Sequence, residues 1–399
     1  MLDPYAAFRF PNFRLLLTGN FLAGFGFQML SVAVSWDLYV QTRSAVVLGN
    51  VGFAQVAPFL LFALTAGQLA DRVDRRRILI ATQGLFLASS ALLAFSFRSV
   101  WLIYACLFLT ATARTFQGPA RSALLPAAVP SDTLRNAITW NSSTMEIANV
   151  TGPALAGVLL ALSGSRAVYV MQGICALGTL LCFALLRIRT ERAAVAPPPA
   201  GIRSLFDGIA FVWSNKRVLS AMSLDMLAVL FGGATALLPI YAVEILHTGP
   251  RGLGWLRAAQ SIGAVCMAVL QAHVIRVHHA GRALLWSVAG FGVAIMVFGI
   301  SRSLWLSFGV LVIAGALDNI SVVLRHSLVQ TETPDAVRGR VLAVNNIFIS
   351  CSNQLGAVES GWAAALLGVV PSVVLGGFVT TLVVGIFALR SRAIREWAH

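Results

Sequence analysis

Long apolar stretches recur along the whole chain, and they limit more than any other feature how it can fold. Residues 46–66 contain no charged side chain, and neither do residues 78–97. Each stretch is close to the length of about 20 residues that a helix needs to cross a bilayer. Only 11% of the 399 residues are charged, whereas about a quarter of the residues in a soluble protein are. We therefore predict an all-α integral membrane protein. Its twelve transmembrane helices are expected at residues 15–37, 46–70, 78–97, 100–118, 137–162, 168–186, 218–242, 253–273, 283–300, 304–324, 341–367 and 371–389.

The positive charges indicate how these helices are oriented. If the N-terminus lies in the cytoplasm, most of the 29 Lys and Arg residues fall on the cytoplasmic side. The exceptions are Arg43, Arg98, Arg166, Arg251, Arg257 and Arg302. Because basic residues concentrate on the cytoplasmic side of membrane proteins, we predict a multi-pass protein with both termini in the cytoplasm. The net charge of +14 then reflects orientation and contact with anionic lipid, and we expect no nucleic-acid partner.

A linker divides the chain near its middle. Residues 193–217 contain the proline-rich stretch 196–201, which predicts a stiff cytoplasmic connection. Apolar residues then recur at helical spacing, at Leu205, Ile209 and Val212. We interpret residues 202–213 as a short helix at the membrane interface. The linker separates an N-terminal half, residues 1–192, from a C-terminal half, residues 218–399.

The two halves share a repeated pattern. Arg121 and Pro130 recur 204 residues later as Arg325 and Pro334. Each pair of residues follows the fourth predicted span of its half. The pattern predicts two six-helix halves that have the same orientation, as in transporters built from parallel repeats.

A charged loop between the second and third spans carries a motif, Gly67-Gln-Leu-Ala-Asp-Arg-Val-Asp-Arg-Arg-Arg-Ile-Leu79. It resembles the loop 2–3 signature of the major facilitator superfamily, with Asp74 where the family usually has glycine. The resemblance implies that the Asp71 carboxylate caps the N-terminus of span 11, near residues 339–341, in one conformation of the protein. The residues of this gating motif are Gly67, Asp71, Arg72, Arg75 and Arg76.

Span 4 carries a second motif, Arg114-Thr-Phe-Gln117-Gly118. It resembles the Arg-x-x-Gln-Gly signature of the same superfamily, in which the arginine is associated with proton coupling in antiporters. The resemblance implies such a role for Arg114. The alternative is that Arg114 only extends its side chain to the lipid headgroups.

Span 5 carries a third motif. Residues 148–157 resemble the span 5 signature of drug–proton antiporters, with alanine at 148 and 156 in place of two glycines. The matching residues are Gly152, Pro153 and Gly157. Proline removes a backbone hydrogen bond and bends a helix, and small residues let two helices cross closely. We predict a helix bend at these residues.

A narrower resemblance extends over nearly the whole chain. Segments 11–14, 42–45, 67–77, 118–126 and 338–341 together resemble the enterobactin-exporter and macrolide-efflux branch of bacterial facilitators. The resemblance implies a proton-coupled exporter, or antiporter, in the bacterial inner membrane. It would move amphipathic small molecules such as drugs or siderophores by alternating access. A lipid or lysophospholipid flippase of the same fold is one alternative, and a non-transporting membrane receptor is another.

Carboxylates inside a membrane are costly and mark candidate functional sites. Asp225 in span 7, Asp318 in span 10 and Arg114 in span 4 fall at similar depth, and these spans line the central cavity in the superfamily. We predict that one of the two acids carries the proton while Arg114 competes with it, and that Glu146 is the next candidate. Asp37 is interpreted as an interface anchor. The candidate cavity residues are Gln117, Asn345, Asn346 and Glu359, with packing an equal alternative for the last.

Three sequence patterns that are typical of enzymes are absent from the chain. It contains no glycine-rich nucleotide-binding loop, no HExxH pair and no Ser/His/Asp set. Its five cysteines lie in apolar spans and are not spaced as metal ligands. We therefore predict a transporter that is not an enzyme, acts as a monomer and needs no cofactor or metal. Its expected partners are a small amphipathic substrate, protons and anionic lipid.

Overall fold

The computed structural model describes residues 3–95, 99–187, 202–273, 279–391 and 397, and the regular structure in these ranges is helical. The helices are α1 (Pro11–Thr42), α2 (Ala45–Arg72), α3 (Arg75–Phe95), α4 (Val100–Ala127), α5 (Leu134–Leu185), α6 (Ile202–Ser214), α7 (Lys216–Gly232), α8 (Leu238–Ile240), α9 (Gly249–His273), α10 (Ala280–Ile300), α11 (Leu304–Glu332), α12 (Asp335–Leu367) and α13 (Val369–Arg390). Short 3₁₀ turns cover Ala6–Arg9 and Ala234–Leu237, and a π-helical turn covers Tyr241–Ile245.

Most of these helices are long and apolar enough to cross a membrane. In the described ranges there are ten such segments, with Lys216–Ile245 counted as one. Leu134–Leu185 is also counted as one, but Gly164 breaks it into two spans with φ 75° and ψ 177°. These segments make eleven spans, and α4 brings the total to twelve. Its 28 residues extend for about 42 Å at 1.5 Å per residue, which is long enough to cross a bilayer. The predicted fold class, an all-α membrane protein with twelve spans in two six-helix halves, is confirmed.

Several helices continue past the ends of the predicted spans. α4 ends at Ala127 and α11 ends at Glu332. The spans predicted from the sequence ended earlier, at residues 118 and 324. Both helices continue through an arginine, Arg121 or Arg325. A hydropathy boundary stops where charged residues begin, but the backbone hydrogen bonds of a helix do not depend on charge.

The chain divides into two compact units. The first unit consists of Met1–Asp37 and Ala57–Ala200, and the second consists of Leu38–Val56 and Gly201–His399. Leu38–Val56 packs in the second unit through small residues. A Cβ atom built on Gly49 would lie 3.0 Å from the Cα atom of Gly361. The prolines of the predicted linker, at 197–199, lie outside the described residues.

In the first unit, one apolar cluster joins α1, α3, α4 and α5. Its buried members include Leu16, Leu79, Leu124 and Phe183. Small residues bring α1 close to the second half of α5, where a Cβ atom on Gly26 would lie 3.0 Å from Cys175 Cβ. This packing fixes the position of α4, which carries the span 4 motif.

In the second unit, a corresponding cluster joins α7, α10 and α11. Leu224, Leu284 and Leu324 are among its buried members. Leu224 and Leu324 directly precede Asp225 and Arg325 in the sequence, so the cluster is formed by the same two helices that carry these charged residues.

The short helix α6 also belongs to the second unit and packs on the start of α12. Val212 is 2% exposed, whereas Trp213 is 68% exposed. Arg340 Nη1 donates a hydrogen bond to Asp207 Oδ2 at 2.9 Å. One face of α6 is thus docked on α12, and the other face, which carries Trp213, is not covered by any described residue.

Candidate functional site

A buried ion pair joins α7 to α11 in the second unit. The guanidinium of Arg325 contacts the carboxylate of Asp225, and these side chains are 2% and 10% exposed. Removing either partner would leave the other charge buried without compensation. The sequence suggested Arg114 as the cation near Asp225, whereas the structure shows that Arg325 is its partner. The expected position of Arg325 on the cytoplasmic side of the membrane stays a prediction.

Asp318 lies on α11, seven residues before Arg325. The two residues are therefore about 10 Å apart along the helix axis. Asp318 is partly buried, and no ion pair or hydrogen bond joins it to another described residue. Asp225 and Asp318 thus differ in their surroundings, although the sequence placed them at similar depth.

The polar residues of α12 point in different directions. Asn345 is 1% exposed, and its Nδ2 atom has no hydrogen-bond partner among the described residues. Asn346 is exposed. Glu359 is partly buried and its Oε2 atom accepts a hydrogen bond of 3.4 Å from Ser360 Oγ. α12 therefore carries both buried and exposed polar side chains along its length.

In the first unit, Arg114 of α4 contacts an aromatic ring. Its Cζ atom lies 3.8 Å from the centroid of the Phe27 ring, a short cation–π distance. The Arg114 side chain is exposed, whereas Gln117 is 5% exposed and its Nε2 atom has no partner among the described residues. Arg121 follows on the same helix, and its Nε and Nη2 atoms are also buried without a hydrogen-bond partner among the described residues. In the sequence, Arg121 stands out only as part of the repeat and not as a candidate site residue.

Glu146 lies on the exposed surface of α5. Asn149 Nδ2 donates to its Oε2 atom at 3.5 Å, and Asn149 Oδ1 accepts a hydrogen bond of 2.8 Å from Gln28 Nε2. The Glu146 carboxylate is thus linked through an amide to α1, so it belongs to a polar network between two helices.

The loop of the gating motif is short and its arginines bind helix ends. Arg76 Nε donates to the carbonyl oxygen of Phe183 at 3.1 Å, and Arg76 Nη2 contacts the carbonyl oxygen of Ala184. Arg75 Nη1 donates to the Ala123 carbonyl at 3.4 Å. The C-terminal end of a helix carries partial negative charge, which favours a cation there. These two arginines therefore fasten the loop to α4 and α5.

The remaining residues of the gating motif contribute in different ways. Asp74 precedes α3, and its Oδ1 atom accepts a hydrogen bond of 2.9 Å from the backbone N–H of Arg76. Aspartate at the usual glycine position thus acts as a helix cap. Arg72 is exposed, and a Cβ atom at Gly67 would meet nothing within 4 Å. The side chain of Asp71 lies outside the described part of the chain, so its predicted capping of span 11 stays a prediction.

The span 5 motif lies where α5 crosses α1. A Cβ atom at Gly152 would lie 2.8 Å from Gln28 Cβ and 3.1 Å from the Phe25 carbonyl oxygen. Pro153 and Gly157 are buried beside it. Only a residue without a side chain fits this crossing, which gives the motif a packing role.

Two polar contacts near the end of α1 were not predicted. Tyr169 Oη donates to Asp37 Oδ2 at 2.8 Å, and Asp37 is 6% exposed. Asp37 is therefore a buried acceptor and not the interface anchor that the sequence suggested. In the second unit, the Tyr39 hydroxyl donates to the Glu244 carboxylate, and Arg43 Nη1 lies 4.0 Å from the same carboxylate. Sequence spacing gave no sign of contacts between residues so far apart in the chain.

Two comparisons with solved structures describe the fold. A bacterial homologue of the human lysosomal transporter Spinster, in an inward-facing and unoccupied conformation, matches with a TM-score of 0.78 at 15% identity, over 97% of this chain and 99% of that one. The POT family transporter PepTSo matches with a TM-score of 0.76 at 14% identity, over 97% and 99%. At these identities the comparisons support the architecture alone.

The sequence comparisons support the family. Enterobactin exporter EntS of Citrobacter koseri is 27% identical over 392 residues, which are 94% of this chain and 90% of that protein. EntS of Escherichia coli O1:K1 is 26% identical over 396 residues, or 95% and 91%. The family model described as "Transmembrane secretion effector" matches residues 2–399. The chain therefore belongs to the transmembrane secretion effector family of the major facilitator superfamily, in its enterobactin-exporter branch.

Proposed function

We propose that the protein is a proton-coupled exporter of amphipathic small molecules, such as drugs or siderophores, that works by alternating access in the bacterial inner membrane. Export and the siderophore class are supported by similarity to enterobactin exporters over 94% of the chain. Both termini would lie in the cytoplasm, anionic lipid would surround the basic loops, and the protein would act as a monomer. The substrate and the protons would bind without a cofactor.

The observation that carries proton coupling is the difference between the two acids of the second unit. Asp225 is held by Arg325, and protonating it would leave a buried cation without its partner. Asp318 is partly buried and joined to no described residue by an ion pair. We assign the proton to Asp318, since a carboxylate inside a membrane without a cation partner can gain and lose a proton without breaking an ion pair.

Arg114 and Glu146 have supporting roles in this proposal. Arg114 lies on α4 in the first unit, exposed and free of ion pairs to the described residues. Its charge would compete with the proton for a carboxylate during the cycle. Glu146 is the second candidate for the proton, because it is an exposed acid on α5.

Transport by the purified protein in liposomes tests this function. With an acidic lumen, an antiporter lets protons leave while it drives substrate inward, so enterobactin should accumulate in the lumen above its outside concentration. A protonophore should abolish the accumulation, and liposomes without protein should show none. If enterobactin and a macrolide both accumulate independently of the pH gradient, and the protonophore has no effect on either, the proposal is contradicted.

A further inference from the structure

Three side chains on α4 form a line of hydrogen-bond donors to which no other described residue offers a hydrogen-bond acceptor. Arg114, Gln117 and Arg121 are spaced at i, i+3 and i+7, so they share one face of the helix. The line extends for about 10 Å along the axis. We call these three residues the α4 donor line.

The donors lack acceptors among the described residues. Gln117 Nε2 is buried with no hydrogen-bond partner, and so are Arg121 Nε and Nη2. Arg114 has a cation–π contact with the Phe27 ring and no side-chain hydrogen bond to another described residue. No ion pair connects either arginine to an acid in the described part of the first unit. Buried donors of this kind are normally paired, and a cation buried without a counter-charge is costly.

The repeat shows that this arrangement is particular to the first unit. With the offset of 204 residues, the positions in the second unit that are equivalent to the α4 donor line are Asp318, Ser321 and Arg325 of α11. There Arg325 has its acid, Asp225 of α7. The same offset leads from Asp225 back to Phe21, and α1 contains no acidic residue before Asp37. The second unit thus carries its own counter-charge, and the first unit lacks one at the equivalent place.

We propose that the α4 donor line binds an anionic oxygen group of the exported molecule, such as a carboxylate, sulfonate, phosphate or catecholate. This inference rests on the proposed export function and names the substrate class. The planar forks of the two arginines match the paired oxygens of such groups, and the Gln117 amide between them adds a neutral donor. The Phe27 ring beside Arg114 offers an apolar surface to the rest of an amphipathic anion.

A matched pair of probes tests the charge requirement directly. 1-Pyrenebutyrate and its uncharged amide, 1-pyrenebutyramide, differ only in the charged group, and binding of each is measured on the full-length protein in a neutral detergent. The wild-type protein should prefer the anion. Arg121→Gln should weaken binding of the anion about tenfold, as expected for charge-assisted hydrogen bonds, and should change binding of the amide less than about twofold.

Three controls keep the result interpretable. Gln117→Leu removes one hydrogen-bond donor without removing charge. It should weaken binding of 1-pyrenebutyrate and leave binding of 1-pyrenebutyramide unchanged. Arg77→Gln changes an exposed arginine of the same unit and should leave both affinities unchanged. Thermal unfolding of each variant checks that it is folded, and Arg121→Gln should be at least as stable as wild type because it removes a buried charge.

Equal affinities of the wild type for the two probes would overturn the proposal, as would an anion preference that persists in both Arg121→Gln and Gln117→Leu. Repeating the titration in nanodiscs with and without phosphatidylglycerol separates an exported solute from a lipid headgroup. The preference should survive the anionic lipid, and competition by it would overturn the assignment to a solute. Proton-driven export of an uncharged molecule would leave the exporter function intact while contradicting the anion site, so the two failures are distinguishable.

Discussion

Asp225 and Arg325 form an ion pair between α7 and α11, with side chains 10% and 2% exposed. The pair compensates two charges that would otherwise be buried alone, and it ties two helices of the second unit together. It also distinguishes Asp225 from Asp318, which lies on α11 two turns before Arg325 and has no ion-pair partner among the described residues. We therefore interpret Asp225 as a structural acid and Asp318 as the acid available to the proton.

The first prediction concerns the stability of this ion pair. Asp225→Asn or Arg325→Gln alone should each lower the free energy of unfolding by about 3–5 kcal/mol, because a buried charge loses its partner. The double variant Asp225→Asn/Arg325→Gln should recover most of that loss, since it removes both charges. Thermal unfolding in detergent of the wild type, the single variants and the double variant measures the coupling. Losses that simply add in the double variant would show that the two residues do not interact.

The second prediction concerns the crossing of α1 and α5. Gly152→Ala should destabilise the protein, because its Cβ atom would lie 2.8 Å from Gln28 Cβ and overpacking costs about 1–3 kcal/mol. Gly84→Ala is the matched control in the same unit, since a Cβ atom there would meet nothing within 4 Å. The control should be neutral or stabilising, because alanine favours a helix over glycine by up to about 1 kcal/mol. Equal effects of both changes on thermal unfolding would exclude a special role for the crossing.

The apolar stretches and the basic loops were enough to predict the spans and the fold class, because bilayer thickness fixes helix length. Motif spacing also located Gly152 and the arginines of the gating loop. It could not reveal that Arg325 pairs with Asp225, 100 residues away in the chain, since such a contact depends on how two helices pack. For the same reason Asp37 was misinterpreted: its donor, Tyr169, comes from a distant helix.

The third prediction concerns the arginines of the gating loop. Arg76 donates to carbonyl groups at the end of α5, whereas its neighbour Arg77 is exposed. Arg76→Gln should therefore lower the free energy of unfolding by about 1.5–3 kcal/mol, the range for a hydrogen bond to a charged group. Arg77→Gln should change it by less than about 0.5 kcal/mol. Chemical unfolding of the two variants side by side makes the comparison, and equal stability would show that the Arg76 contacts contribute nothing.

The fourth prediction concerns orientation in the membrane. Ser163 and Ser131 are exposed in the segments that follow the first half of α5 and α4, which the charge pattern places outside and inside. In a variant without the five natural cysteines, Ser163→Cys should react with an impermeant thiol reagent in intact cells. Ser131→Cys should react only after the membrane is permeabilised. The reverse pattern would contradict both the span count and the cytoplasmic termini.

The role of Asp318 in coupling can be measured most directly in proteoliposomes, by comparing uphill transport with downhill exchange of the same substrate. Asp318→Asn should abolish substrate accumulation driven by a pH gradient, because the variant lacks the carboxylate that carries the proton. It should retain exchange without a gradient, because it can still change conformation. Asp132→Asn, a change to an exposed acid in the loop after α4, should behave as wild type in both assays. If Asp318→Asn still accumulates substrate against its gradient at the wild-type rate, the proton is carried elsewhere and the account of Asp318 is wrong.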